Sequence, residues 1–148
     1  CSLITSMVQE IAEAARNAKP DILINIHLVP WASNDFEGAV RKVAGQDASA
    51  LSPIADFLSP MTYAHMVKRE LAWIHSIVAD LNLQTGSQII PSIQVNKAYL
   101  DSELGMEEFE RSIRQALKPP SRGVIFWSWE QLDSVPAKKR LVQSVFTQ

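Results

Sequence analysis

Apolar and polar positions along the chain change period several times, and each change marks an element. Ile4, Met7, Val8, Ile11 and Ala15 recur at helical spacing through residues 3 to 18. Lys19-Pro20 ends that helix, because proline cannot continue its hydrogen-bond ladder. The run from Asp21 to Val29, interrupted by Asn25 and His27, reads as a first strand closed by Pro30-Trp31. Ser33, Asn34 and Asp35 are candidate caps for a helix through Phe36, Val40 and Val43 that stops at Gly45. Gln46 to Ala55 forms a turn with room for one helical turn, and Asp56 to Tyr63 forms the second strand. Leu71, Ile74, Ile77, Val78 and Leu81 spell the next helix, with Gly86 behind it. Gln88 to Val95 is the third strand, and a loop through Asn96, Lys97 and Tyr99 leads to Ser102, a candidate cap. The helix after it buries Met106, Phe109, Ile113, Ala116 and Leu117 and stops before Pro119-Pro120. Gly123 to Glu130 is the fourth strand. The last helix starts near Pro136 and shows Leu141, Val142, Val145 and Phe146.

Strands that alternate with amphipathic helices pair in parallel, which makes this an α/β chain. Four such strands form either a small doubly wound sheet or half of a (β/α)8 barrel. No glycine-rich phosphate loop follows any strand, so the nucleotide-binding version lacks its hallmark. Each strand ends instead in polar or aromatic residues: His27 and Trp31, Tyr63 and His65, Gln94 and Asn96, Trp129 and Glu130. Barrel enzymes gather their chemistry at those carboxyl ends. Residues 1–148 therefore read as a single domain, half of a barrel whose full form takes about 250 residues. The length and the absence of an initiator Met read as a fragment of a longer chain.

Composition narrows the function. A formal net charge of -2 does not suit a nucleic-acid binder, which needs a basic face. No apolar run reaches about 18 residues, so no membrane span is expected. Cys1 is the sole cysteine, which excludes an intrachain disulfide and a thiolate cluster. The three histidines lack metal-site spacing, so neither a metal nor a cofactor is expected. No serine sits in a strained Gly-x-Ser-x-Gly turn, which argues against a serine hydrolase.

Two stretches carry a resemblance. Asp56-Phe57-Leu58-Ser59-Pro60-Met61-Thr62-Tyr63 is similar to the sixth strand of glycoside-hydrolase-type barrels, chitinase-like families and uncharacterised glycosidase families among them. Gly123-Val124-Ile125-Phe126-Trp127 is similar to their eighth strand, where a glycine leads to a tryptophan that lines the sugar site. Ile90-Pro91-Ser92-Ile93-Gln94 then falls on strand seven, and Asn25-Ile26-His27 on strand five. The resemblance implies the C-terminal half of the barrel, strands five to eight. It implies hydrolysis of a carbohydrate O-glycosidic bond by carboxylate acid/base chemistry, and a secreted or periplasmic setting. The chain departs from these families in two ways. It has no run of alternating aspartates ending in glutamate, and Gln94 stands where retaining families carry a nucleophilic glutamate.

Glu130 is then the candidate catalytic carboxylate, with Trp127, Tyr63, Gln94, His27 and Trp31 as candidate substrate-binding residues. Two registers compete at the fourth strand, because side chains alternate with period two. A polar layer of Asn25, Ser59, Ser92 and Ser128 facing the barrel axis turns His27, Met61, Gln94 and Glu130 inward and Trp127 outward. The register implied by the resemblance does the reverse and aims Trp127 into the site. Without a bulge one excludes the other, and Trp127 is the residue retained. A second reading is a non-catalytic carbohydrate-binding or assembly domain. Its two open sheet edges would close against a second copy in a homodimer, or against the missing N-terminal half.

Overall fold

Four short parallel strands, each preceded by a helix or helical turn, make up the computed structural model, which describes residues 1–32, 35–99 and 102–147. Ser33 and Asn34, two of the expected caps, lie outside the described residues. The elements are α1 (Ser2–Ala18), β1 (Asn25–Leu28), α2 (Ala39–Lys42), α3 (Ala48–Leu51), β2 (Phe57–Pro60), α4 (Ala72–Thr85), β3 (Ser92–Gln94), α5 (Met106–Ala116), β4 (Ile125–Trp127), α6 (Trp129–Ser134) and α7 (Pro136–Phe146). β1 pairs with β2 and β3 with β4, all in parallel. The bridges Leu58↔Ile89 and Met61↔Ser92 join the two pairs, so the strands lie side by side in chain order. The outer edges of β1 and β4 carry no strand partner among the described residues, and no barrel closes.

Alternation sorts the side chains onto two faces. On the helix side, Leu28, Leu58 and Ile89 pack with Leu51, Ile77, Val78 and Leu81 of α3 and α4. Ile93 and Val95 pack with Ile74, Phe109 and Ile113, and Phe126, Leu141, Val142 and Val145 lean on that cluster. The other face is polar at its first level, where the Ser59 hydroxyl donates to Asn25 Oδ1 at 2.8 Å. The polar layer stops before the fourth strand. Val124 and Phe126 take the helix side there, which leaves Ile125 and Trp127 on the open face in register with Ser92 and Gln94.

Three expected elements differ in the structure. The helix through Phe36 to Val43 is a 3-10 turn (Asp35–Glu37) and the single turn α2, split at Gly38, whose φ of 78° is left-handed. Asp35 does not cap it but accepts from the Ala32 N–H at 3.0 Å. α5 starts at Met106 behind Gly105, so Ser102 is no cap, and Met106 is exposed. The fourth strand ends at Trp127, and residues from Trp129 onward turn into α6. Gly86 does end α4 as expected, with a left-handed φ of 67° that a side chain would strain.

α1 has two apolar stripes. Val8 leans on the core cluster of β1 and β2, whereas Leu3, Met7 and Ile11 are uncovered at 71%, 51% and 67% exposure. At the foot of the sheet, Asp56 accepts from the Ile24 N–H at 2.7 Å and from Arg16 at 3.3 Å, which ties α1 to β1 and β2. The hydrogen bond from Ile24, with help from Arg16, holds its carboxyl below the ordinary 3.8. A lowered folded-state value means that the stabilisation is complete above about pH 4 and is lost as pH falls through the folded value. Asp56→Asn is expected to cost about 0.5–1.5 kcal/mol near neutrality, because the pair is partly exposed. Urea unfolding should show that difference shrinking towards pH 2; a difference that stays constant with pH would contradict the assignment.

Candidate functional site

The open face of the sheet leads at its carboxyl end into a cavity of about 370 Å³. The segment after β2 contributes Met61, Tyr63, Met66 and Val67; the segment after β1 contributes Val29, Pro30 and Trp31; β4 contributes Trp127, and Tyr99 closes the rim. Thus three of the strand ends and the loop after β3 converge there, as parallel pairing in chain order dictates.

The centre of the cavity is an aromatic pair. The Tyr63 and Trp127 rings stack with centroids 5.3 Å apart and planes 24° apart. Tyr63 is buried, and its hydroxyl lies 3.2 Å from Ser92 Oγ. Burial pushes its phenol up from 10.0, against the opposing hydrogen bond with Ser92, so it stays neutral and can donate. Trp127 is 37% exposed and offers ring surface to the cavity. A paired ring held rigidly from one side gives an apolar plane on which a flat apolar face can stack.

Trp31 forms a side wall. Its ring meets Phe36 edge-on at 5.2 Å and Trp73 at 5.8 Å, with the Arg69 guanidinium 5.9 Å over it. The ring is packed between neighbours, so it shapes the cavity more than it offers a free platform. Gln94 lies beside the cavity but is 3% exposed, and both ends of its amide are tied to backbone. It is not a free contact for a ligand. His27 is exposed on the open face of β1, away from the cavity, and its carbonyl accepts from Gln46 at 3.2 Å. His65 is held by Glu108 at 2.9 Å and by the Ser102 carbonyl at 2.9 Å.

Glu130 does not stand at a strand end. It lies in the first turn of α6, exposed, and does not line the cavity. A hydrogen bond from the Ser128 side chain holds its carboxyl below the ordinary 4.5. A general acid requires the opposite shift, upward by burial in an apolar setting. The described lining holds no carboxylate at all, and among the described residues no three His, Cys, Asp or Glu side chains group as metal ligands.

Sequence reasoning missed Tyr99, Met66 and Val67 as cavity residues. Tyr99 carried a signal, an aromatic in the loop after a parallel strand, and its 86% exposure with a left-handed φ of 53° sets it at the rim. Met66 and Val67 carried none, since apolar residues in a loop are indistinguishable from core.

No protein-family model matches the sequence, and no curated protein does. Among solved structures, the chain is similar to bee venom hyaluronidase, with a TM-score of 0.62 and 16% identity. The match covers 95% of this chain and 50% of the hyaluronidase, so the chain spans about half the length of that structure. At this identity the likeness supports a glycosidase-like fold.

Proposed function

We propose that residues 1–148 are one domain, the C-terminal half (strands five to eight) of a glycosidase-like (β/α)8 TIM barrel, and that the cavity at Trp127 is a saccharide subsite of a glycoside hydrolase. The stacked Tyr63–Trp127 pair at the strands' carboxyl ends carries this reading. A pyranose ring has an apolar C–H face that stacks on an indole and hydroxyl edges that need polar partners. Trp127 receives the sugar face, Tyr63 backs it and Trp31 walls it. The hyaluronidase likeness supports a carbohydrate as the ligand, and its half-length coverage supports a second half that closes the sheet. That half, whether the rest of a longer chain or a second copy, meets the open edges of β1 and β4 and the stripe Leu3, Met7 and Ile11. His27 on the open face of β1 lies towards it.

Glycosidic cleavage takes one protonated and one ionised carboxyl group. With no carboxylate in the described lining and Glu130 exposed on α6, the proton donor belongs to the complementary half. In the closed barrel, Glu130→Gln is then expected to change reducing-end release from polysaccharide by less than about threefold. A loss of a hundredfold or more, the scale of a missing general acid, would restore Glu130 to that role. The same absence of carboxylates favours a second reading, a non-catalytic carbohydrate-binding domain. Saccharide binding with no reducing ends released by the closed barrel would decide for it.

A further inference from the structure

We infer that Gln94 is a positioning residue for the aromatic cavity: its buried amide clamps together two neighbouring loops that line the cavity. Gln94 is the last residue of β3 and the register partner of Trp127. Its Oε1 accepts from the Met66 N–H at 2.9 Å, and its Nε2 donates to the Asn96 carbonyl at 3.0 Å. The first bond holds the loop after β2, which brings Tyr63, Met66 and Val67 to the cavity. The second holds the loop after β3, which brings Tyr99 to the rim. Both loops leave the sheet, so these backbone groups have no ladder partner and need one from a side chain.

The clamp demands one acceptor and one donor on a short planar group at the same point. A neutral amide supplies both. A carboxylate supplies only the acceptor and sets an anion against the Asn96 carbonyl. An apolar residue supplies neither and orphans both backbone groups. This explains why an amide, and not an acid, stands at the end of this strand. The cavity's shape then depends on a residue that need not touch a ligand.

The consequence for binding rests on the saccharide reading, but the clamp is tested without any ligand. Amide exchange and the Trp127 indole resonance are followed by NMR in the wild type, Gln94→Ala and Gln94→Glu. In Gln94→Ala, exchange at the Met66 amide is expected to accelerate about tenfold or more, while amides of α5 such as Ile113 keep their protection. In Gln94→Glu the acceptor survives, so Met66 stays protected. The Trp127 indole resonance should move away from its wild-type position while the introduced carboxyl is ionised. It should return on acidification, when the protonated acid regains a donor. The wild type should show no such titration. A residue that merely fills space would give no pH-dependent return, and that result would overturn the clamp. So would unchanged Met66 exchange in Gln94→Ala, or a variant in which Ile113 and Met66 lose protection together. Cellohexaose and a hyaluronan hexasaccharide are then titrated into the folded variants. Binding weakened about tenfold in Gln94→Ala extends the clamp to function. Absence of wild-type binding to either would count against the saccharide reading, while the exchange data still decide the clamp.

Discussion

Replacing Lys138 by alanine is expected to lower the unfolding free energy by about 3–5 kcal/mol. Lys138 sits on α7 with 3% of its surface exposed. Its Nζ donates to the Val95 carbonyl and to the Leu104 carbonyl, each at 2.6 Å, and lies 5.3 Å from the centre of the Phe109 ring. Burial pushes its ammonium down from 10.5, against the attraction of Glu103 and Glu108. Either protonation state has the two N–H groups that the carbonyls require. Truncation leaves both carbonyls buried and unpaired and opens the volume of the lysine stem against Phe109. Lys138→Met keeps the stem and removes only the donors, so its expected loss is smaller, about 2–3 kcal/mol. Urea unfolding of both variants measures this. A loss below about 1 kcal/mol in Lys138→Ala would mean that water replaces the amine, and that α7 is not bolted to the loop before α5 by this contact.

Replacing Trp127 by alanine is expected to weaken saccharide binding at least tenfold while the melting temperature changes little. The two effects separate because of where the ring sits. One face of it stacks on Tyr63, but it is more than one-third exposed and contributes no side chain to the helix-side core. A stacking tryptophan at the centre of a site is the kind of anchor whose removal costs about 2 kcal/mol or more of binding energy. Its neighbour on the strand behaves in the opposite way. Phe126 leans on the buried cluster and lies 6.0 Å from Phe109, so its loss falls on stability. Calorimetric titration beside thermal melts distinguishes them. Equal binding in Trp127→Ala and wild type would remove the ring from the site.

The sequence was legible where periodicity repeats over several turns. α1, α4 and α5 each show an apolar face over about three turns, α7 shows one over its second half, and all four stand within a few residues of their expected bounds. Short elements carried too few repeats. α6 has six residues and one buried side chain, Leu132, so its first two residues read as a continuation of β4 and Glu130 read as a strand-end acid. The helix from Phe36 to Val43 failed because three successive residues, Phe36, Glu37 and Gly38, take left-handed φ values and break it. Lys138 was legible in principle. It precedes Leu141, Val142 and Val145 by three, four and seven positions, which places a charged residue on the buried face of α7. The direction of Trp127 could not be read from alternation on its own strand. It is set by Val124 and Phe126 packing towards the helices, a choice made by the neighbouring core.

The central claim is that the Tyr63–Trp127 cavity takes a saccharide. The most direct measurement is a titration of the chain with cellohexaose and with a hyaluronan hexasaccharide, followed by the indole N–H resonances of its tryptophans. A saccharide seated in the cavity should shift Trp127 most, Trp31 less, and leave Trp129 on α6 unmoved. Shifts confined to Trp129, or no shift at Trp127 at millimolar saccharide, would contradict it.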